Sequence, residues 1–251
     1  MLYEIRMIGS RDTSGKSLSA IISEKIRRAI VEAEFEFGES LSEESLAMAF
    51  EVSRTPVREA LNLLQMQDLV RIVPKSGTYV FEPTHEDIAE LCDFRAGLEE
   101  RAMRLTLAAD REKLTRLLAG EVAAMRIAVE AGNRRAYGRH DTEFHLAFFR
   151  DCGNRYLARA YESILGRVAA LRTHLAIEAP GEPARSLADH EEIADLAARD
   201  RPDEIAAILE DHILRTKSNY LNALRKRSKE AADPRALRLR RQLSQAGLGQ
   251  P

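Results

Sequence analysis

Residues 84–228 carry the longest uninterrupted pattern in the chain, and that pattern is helical. Apolar residues recur there every three to four positions, and the breaks fall at Asp110, at Gly132 and at Pro202, residue types that commonly separate helices. Six helices are predicted, over residues 85–109, 111–131, 134–151, 154–177, 184–198 and 202–228. Because no strand pattern interrupts them, this region is predicted to fold as an all-α antiparallel bundle of about six helices.

Residues 17–82 have a different pattern. Three short helical segments come first, and apolar residues then flank the turn "PKSG", which is typical of a β-hairpin. The chain is therefore predicted to be mainly α and to have four parts. They are a loose leader over 1–16, a domain of three helices plus a hairpin over 17–82, the helical bundle over 83–228, and a basic tail over 229–251.

Bulk composition limits the possible classes of function. The formal net charge of −2 gives no general attraction to nucleic acid, so DNA binding would require a local basic patch. No apolar run approaches the roughly 18 residues that span a membrane. Cys92 and Cys152 are far apart and have no metal or redox spacing. A cytoplasmic protein without membrane contact is expected.

Two arginines stand at the start of the third helix, the end whose dipole repels cations. Ser53 or Thr55 can cap this helix, and either choice exposes Arg54 and Arg58 on its first turn. A DNA phosphate or a guanine edge would make that placement favourable, because arginine forms a bidentate fork with both. Alternatively, Arg58 pairs with Glu59 or Asn62, or is simply solvated, as exposed arginines usually are. The inward residues of this helix are predicted to be Val57, Leu61, Leu64 and Met66.

The order of elements favours the DNA interpretation. A short helix, a three-residue turn and a second helix with polar residues at its N-terminus form a helix-turn-helix, and the hairpin adds a wing. In the wing, Lys75, Ser76 and Gly77 can approach a sugar-phosphate backbone closely. The predicted fold of residues 17–82 is thus a winged helix-turn-helix.

Three histidines and an aspartate lie on the apolar stripes of three different bundle helices. Asp141 and His145 are four residues apart, His190 aligns with other apolar positions of its helix, and so does His212. Buried polar groups are costly without partners, and one divalent ion would satisfy all four. The ligand set suits zinc, while nickel or iron also fit. Any one of these histidines could instead be an ordinary core residue. His85, His140 and His174 lack an inward context and are expected at the surface or at a boundary.

Two arginines are candidates for binding a ligand beside this ion. Arg95 lies in the inward apolar stripe of the first bundle helix. There it either pairs with Glu99 or faces a cavity beside the ion, where its guanidinium could bind a ligand carboxylate through two hydrogen bonds. Arg172 is a second candidate of the same kind.

The N-terminal motifs resemble those of a known family. "LSEESLA", "VSRTPVREALNLLQ" and "PKSGTYV" closely resemble the winged helix-turn-helix of the GntR family of bacterial transcription regulators. The resemblance implies contact with double-stranded DNA through Arg54, Thr55, Arg58 and Gly77. Two departures stand out: Glu44 occupies a position that is often basic, and Glu51 one that is usually glycine. With seven Lys and Arg against eleven Asp and Glu over 17–82, non-specific binding should be weak.

The helical region is similar to the FCD effector-binding domain of the FadR subfamily. "FRAGLEERA", "DTEFH" and the later histidines carry this similarity, and six helices fit the VanR-like branch. The similarity implies a metal ion held by Asp141, His145, His190 and His212, because the matching residues hold one in many such domains.

The resemblance implies a homodimeric regulator of transcription. It would bind a pseudo-palindromic operator, and a small carboxylate metabolite would control that binding. Repression is expected because it is the usual role in this family. One alternative is a metal-dependent hydrolase or lyase tethered to DNA, since an Asp/His₃ site can activate water. Against it, Glu143 is the nearest acid and should face away from the ion. A purely structural metal is the other alternative.

Overall fold

The computed structural model describes residues 16–175 and 181–232. The leader predicted up to residue 16 lies outside them apart from its last residue, and so does the predicted tail beyond residue 232. The helices are α1 Leu18–Val31, α2 Glu43–Phe50, α3 Arg54–Gln65, α4 His85–Glu130, α5 Arg134–Arg150, α6 Arg155–Leu175, α7 Glu182–Ala198 and α8 Pro202–Ala232. The strands are β1 Ser40–Leu41, β2 Val70–Val73 and β3 Gly77–Val80. The predicted mainly-α class, with a small sheet in the N-terminal half, is confirmed.

The predicted hairpin belongs to a three-stranded antiparallel sheet. Its strand order is β1-β3-β2, with Val70 opposite Val80 and Val73 opposite Gly77. Strand β1 was not predicted, because two residues are too few to show an alternating pattern. It pairs Ser40 with Tyr79 and thereby fastens the start of α2 to the wing.

The helices begin where capping chemistry predicts. Ser42 accepts a hydrogen bond from the backbone N–H of Ser45, and Thr84 and Asp87 form a complete capping box at the start of α4. Helix α4 is kinked at Asp110, whose φ of −155° and ψ of 83° are not helical. With this kink, the predicted break at Asp110 holds, and the described part of the bundle has the six predicted helical segments. Helix α8 continues to Ala232, past its predicted end.

The core of the N-terminal domain lies between α1, α3 and the sheet. Val57, Leu61 and Leu64 are fully buried there, as predicted. Met66 is 82% exposed, so its predicted inward position is wrong. Helix α3 ends at Gln65, and the chain then turns so that Leu69 fills the core instead.

Helix α6 of the bundle packs directly against the N-terminal domain. Ala170 is part of the buried cluster of that domain, and Gly166 faces Leu69 so closely that a Cβ atom there would lie 2.8 Å from Leu69 Cδ1. His174 is buried in the same junction, where its Nε2 lies 2.9 Å from the carbonyl oxygen of Ile30. The sequence predicts His174 at the surface or at a boundary; it is buried at the boundary between the two domains, because its helix is covered by a second domain that a single-helix pattern does not reveal.

A polar and aromatic cluster closes this junction. The ring of His174 stacks on Phe37 with centroids 4.1 Å apart, and Arg227 of α8 lies over Phe37 and pairs with Glu36. Within the described ranges, no helix is both long enough and apolar enough to cross a lipid bilayer.

Candidate functional site

The first turn of α3 presents its polar residues to the outside. The helix begins at Arg54, with Ser53 as the N-cap residue, so the alternative start after Thr55 is wrong. Arg54, Thr55 and Arg58 are exposed, while Val57 on the opposite side is fully buried. The predicted DNA-contacting face of α3 is thus accessible.

Both arginines have carboxylate partners on α2. Arg58 donates to Glu43 through Nε and Nη2, the latter at 2.9 Å, and Arg54 lies 3.0 Å from Glu44. The pairing with Glu59 that the sequence left open is not observed. The hydrogen bond from Arg58 lowers the pKa of Glu43. Exposed pairs of this kind contribute about 0–1 kcal/mol, so DNA can replace the carboxylates at small cost.

The wing tip has a fixed backbone conformation. Lys75 has a φ of 64° and Gly77 a φ of 141°, and both residues are exposed together with Ser76. The hydroxyl groups of Ser76 and Tyr79 lie 2.9 Å apart, and Tyr79 also donates to the carbonyl oxygen of Ser76 at 3.3 Å. Sequence reasoning took Tyr79 only as a strand residue, whereas the structure shows that it holds the wing tip.

The structure brings the three predicted bundle histidines together. His145 of α5, His190 of α7 and His212 of α8 are buried, and one ring nitrogen from each lies within 4.8 Å of the others. The Nε2 atoms of His145 and His190 are 3.3 Å apart.

Asp141 borders this cluster, but an arginine also engages it. Its Oδ1 lies 3.6 Å from His190 Nε2 and its Oδ2 lies 3.9 Å from His145 Nε2. The same Oδ2 lies 2.5 Å from Arg172 Nε. Burial alone would raise the pKa of Asp141, but Arg172 and the imidazoles outweigh burial and lower it. Asp141 is therefore ionised and borders the cluster, while the ligand atoms that lie within 4.8 Å of one another among the described residues come from the three histidines alone.

The chemistry of this donor set fits a divalent metal ion. Burial lowers the pKa of His145 to about 4, and burial also places the pKa of His190 well below its usual value. Both rings are therefore neutral near pH 7, which is the form that binds metals. In the described structure, Nδ1 of His190 is buried without a hydrogen-bond partner. Imidazole nitrogens and a carboxylate oxygen are ligands that zinc binds in proteins.

Two carboxylates behind the histidines were missed by sequence reasoning. Glu99 Oε2 lies 2.8 Å from His145 Nδ1, and Asp189 Oδ2 lies 3.0 Å from His212 Nδ1. Carboxylates in this position orient metal-binding imidazoles. Glu99 had a signal in the sequence, since it lies one helical turn from Arg95 on the same stripe. Asp189 had none, because its position beside His190 in the chain points it away from that ring.

Arg95 forms the predicted ion pair with Glu99 and also borders a cavity. Its Nε lies 2.5 Å from Glu99 Oε1, and Arg95 also lines a cavity, with a buried Nη2 that has no partner among the described residues. Arg172, Asp141 and His212 line the same cavity, whose volume is about 1630 Å³. Glu143 pairs with Arg150 at the surface and so faces away from the histidines, as expected.

The opposite wall of this cavity belongs to the N-terminal domain. Lys25 and Ala29 of α1 and Ser45 and Phe50 of α2 lie along it. A molecule in the cavity would therefore lie between Asp141, Arg172 and His212 of the bundle and the two helices that precede α3.

Comparison with known proteins identifies the family. Residues 18–80 match the gntR family of bacterial regulatory proteins, and residues 90–215, half of the chain, match the FCD domain. The chain belongs to the GntR family. It is a member with a C-terminal FCD domain, as its motifs indicated, and this arrangement is consistent with the FadR subfamily.

Curated relatives of this GntR-family protein include named repressors. It is 27% identical over 164 residues to the gluconate operon transcriptional repressor of Bacillus subtilis, a match that spans 65% of each chain. It is 26% identical over 205 residues to the probable D-xylose utilization operon transcriptional repressor of Paenarthrobacter nicotinovorans, covering 80% of this chain and 89% of that one. The match thus spans less than two thirds of the Bacillus repressor.

A solved structure shares the fold. A GntR transcriptional regulator from Rhodococcus sp. RHA1 superimposes with a TM-score of 0.74 at 23% identity, covering 83% of this chain and 99% of that chain.

Proposed function

We propose that this protein is a transcription repressor that binds operator DNA through α3 and the wing, and that a small organic acid at a metal site in the bundle controls this binding. The observation that carries the proposal is the cavity. Its walls include His212 and Asp141 on one side and helices α1 and α2 of the winged domain on the other. Its occupant is thereby placed to influence the orientation of the recognition helix.

The DNA contacts follow from the exposed residues. Arg54 and Arg58 would fork guanine edges or phosphates, and Thr55 would contact the same groove. Lys75, Ser76 and Gly77 would meet the sugar-phosphate backbone. A homodimer would place two α3 helices in successive major grooves of a pseudo-palindromic operator, in the cytoplasm where that DNA is found.

The bundle would hold the ion and the acid. Asp141, His145, His190 and His212 would bind a divalent metal, with zinc favoured and nickel or iron also compatible. When bound, such an ion supplies a Lewis-acidic position for a carboxylate oxygen. The unpaired Nη2 of Arg95 would hold another oxygen of the acid, and Arg172 would keep Asp141 ionised.

Control of DNA binding requires that the acid prefer one arrangement of the two domains. The junction at α6 offers a physical route, because Arg172 contacts Asp141 while His174, two residues later, contacts the carbonyl oxygen of Ile30 in α1. A shift of α6 on ligand binding would therefore move the contact between His174 and α1 and so displace the winged domain.

The DNA-binding part is tested with an operator selected from random DNA by the wild-type protein. Arg58→Ala should weaken binding to that operator by about 10- to 100-fold, because a base contact is lost. Arg126→Ala is the matched control, since Arg126 forms an exposed ion pair with Glu191 on the bundle. Equal gel-shift affinities for the two variants would exclude α3 as the recognition helix.

The regulatory part is tested by titrating the same complex with a panel of hydroxy and dicarboxylic acids in the presence of zinc. At least one acid should weaken operator binding by the wild-type protein several-fold, and His212→Ala should abolish this response while leaving binding without acid intact. If every acid leaves the wild-type complex unchanged, or if the variant responds as well, this site does not regulate DNA binding.

A further inference from the structure

Glu99 of α4 is a charged side chain that is completely buried inside the bundle. It is 0% exposed, and its partner Arg95 is 1% exposed. Three groups surround the carboxylate: Arg95 Nε lies 2.5 Å from Oε1, the hydroxyl of Tyr161 donates to Oε1 at 2.8 Å, and His145 Nδ1 lies 2.8 Å from Oε2. Glu99 on α4 thus contacts one side chain from α5 and one from α6, in addition to its own helical neighbour.

The two oxygens of Glu99 have separate tasks. Oε1 accepts hydrogen bonds from Arg95 Nε and from the hydroxyl of Tyr161. Oε2 is the oxygen that lies next to the imidazole of His145. Because the carboxylate is ion-paired with Arg95, Oε2 is a hydrogen-bond acceptor, and the ring nitrogen 2.8 Å from it is the one expected to carry the proton.

This constraint decides which nitrogen of His145 is free. A proton on Nδ1 of the neutral ring leaves the lone pair on Nε2, and Nε2 is the atom 3.3 Å from His190 Nε2. Among the described residues, Nδ1 of His145 and Nδ1 of His190 both lack a partner in hydrogen-bond geometry, but Nδ1 of His145 has a carboxylate oxygen, Glu99 Oε2, 2.8 Å away. The approach of a buried carboxylate oxygen to Nδ1 therefore distinguishes His145 from His190.

We propose that Glu99 is a positioning residue that fixes His145 as the Nδ1–H tautomer, so that Nε2 is presented to the metal, while the same carboxylate holds Arg95 in the cavity wall. The inference rests on the proposed metal site, and it adds that one side chain sets both the ion-binding and the acid-binding groups. A shift of Glu99 would disturb both together.

The first test measures metal affinity. Glu99→Gln should weaken zinc binding by the full-length protein about 10- to 100-fold in competition with a chelator, the usual effect of losing such a carboxylate. The matched control is Glu100→Gln, whose side chain is exposed and pairs with Arg104. Zinc affinity of folded Glu99→Gln within about threefold of the control would overturn the proposal.

Glu99→Gln should also destabilise the fold, because it leaves Arg95 as a buried charge without its partner. The double variant Arg95→Gln/Glu99→Gln removes both charges and should fold while showing the same loss of zinc affinity. Tyr161→Phe removes one donor to Oε1 without touching His145, so it should change zinc affinity by less than about threefold, which shows that the effect passes through Oε2.

The second test does not involve metal. In metal-free wild-type protein near neutral pH, ¹⁵N NMR of labelled histidine should show His145 as the Nδ1–H tautomer. Observation of the Nε2–H tautomer would overturn the proposal even if no Glu99 variant folds. If the wild-type protein binds no zinc, the metal site fails, and this tautomer still reports on Glu99 independently.

Discussion

Two pairs of arginines in this protein are held by carboxylates, and they differ in exposure. Arg54 and Arg58 of α3 pair with acids of α2, and their side chains are 58% and 63% exposed. Arg95 and Arg172 of the bundle pair with acids around the imidazole cluster, and both are buried. The N···O distance is 2.5 Å in each buried pair and 2.9–3.0 Å in the exposed pairs, and the surrounding medium differs as well.

The difference separates a surface that exchanges partners from a site that does not. Breaking an exposed ion pair costs about 1 kcal/mol or less, so a DNA phosphate or base can readily take Arg54 or Arg58 from α2. Removing one partner of a buried pair costs about 3–5 kcal/mol, because the other charge stays uncompensated. Arg95 and Arg172 can therefore change partners only when another charged group enters the cavity.

The largest expected effect is a difference in the free energy of unfolding between a variant of a buried arginine and a variant of an exposed one. Arg95→Ala should lower the free energy of unfolding by about 3–5 kcal/mol because Glu99 is left buried and unpaired, whereas Arg54→Ala should lower it by less than about 1 kcal/mol. Urea denaturation of the two variants beside the wild type measures both values. Similar losses in the two variants would contradict the distinction between them.

A second effect concerns pH and belongs to the buried cluster. Burial lowers the pKa of His145 to about 4 and that of His190 well below its usual value, while both titrate near 6.5 in the unfolded chain. Between these values the unfolded state binds more protons than the folded state. The contribution of the two histidines to the free energy of unfolding is therefore fully present above about pH 6.5 and is lost as the pH falls. Each ring contributes at most about 1.4 kcal/mol per pH unit.

Urea denaturation of the metal-free protein at about pH 7.5 and about pH 5 measures this loss. The exposed pairs of α2 and α3 should contribute little in the same range, so the variant Glu43→Gln should show the same pH dependence as the wild type. A free energy of unfolding that stays constant over this range would mean that the histidines are not buried as neutral rings.

The smallest expected effect concerns Glu44 on the exposed side. Glu44→Lys removes the partner of Arg54 and adds a cation near the DNA, so it should tighten non-specific binding and steepen the dependence of log K on log salt by about 1–2. Glu112→Lys makes the same charge change on an exposed residue of α4, far along the chain from α3, and serves as the control. Equal salt slopes for the two variants would mean that position 44 does not meet the DNA.

Sequence reasoning succeeded where a single helix carries the information. Val57 and Leu61 follow the helical period, so the opposite placement of Arg54 and Arg58 was readable from one segment. His145 lies on an apolar stripe in the same way, as do His190 and His212, and burying three stripes in one bundle brings these rings together.

It failed where two helices must be oriented against each other. The pairing of Arg58 with Glu43 depends on how α2 crosses α3, and the burial of His174 depends on how α6 meets the N-terminal domain. The contact of Asp189 with His212 likewise depends on the rotation of α7 against α8. No local period encodes these rotations, whereas the resemblance to a family supplied the arrangement of the domains.

Native mass spectrometry of the protein as purified tests the central claim most directly, namely that Asp141 and the three histidines gather around an ion inside the bundle. The wild-type protein should appear as a dimer that carries one divalent ion per chain. His190→Ala should remain a dimer and lose that ion, while His85→Ala, which changes an exposed histidine, should keep it. Wild-type protein at the bare mass of its chains, or a His190→Ala variant with the ion retained, would contradict the claim.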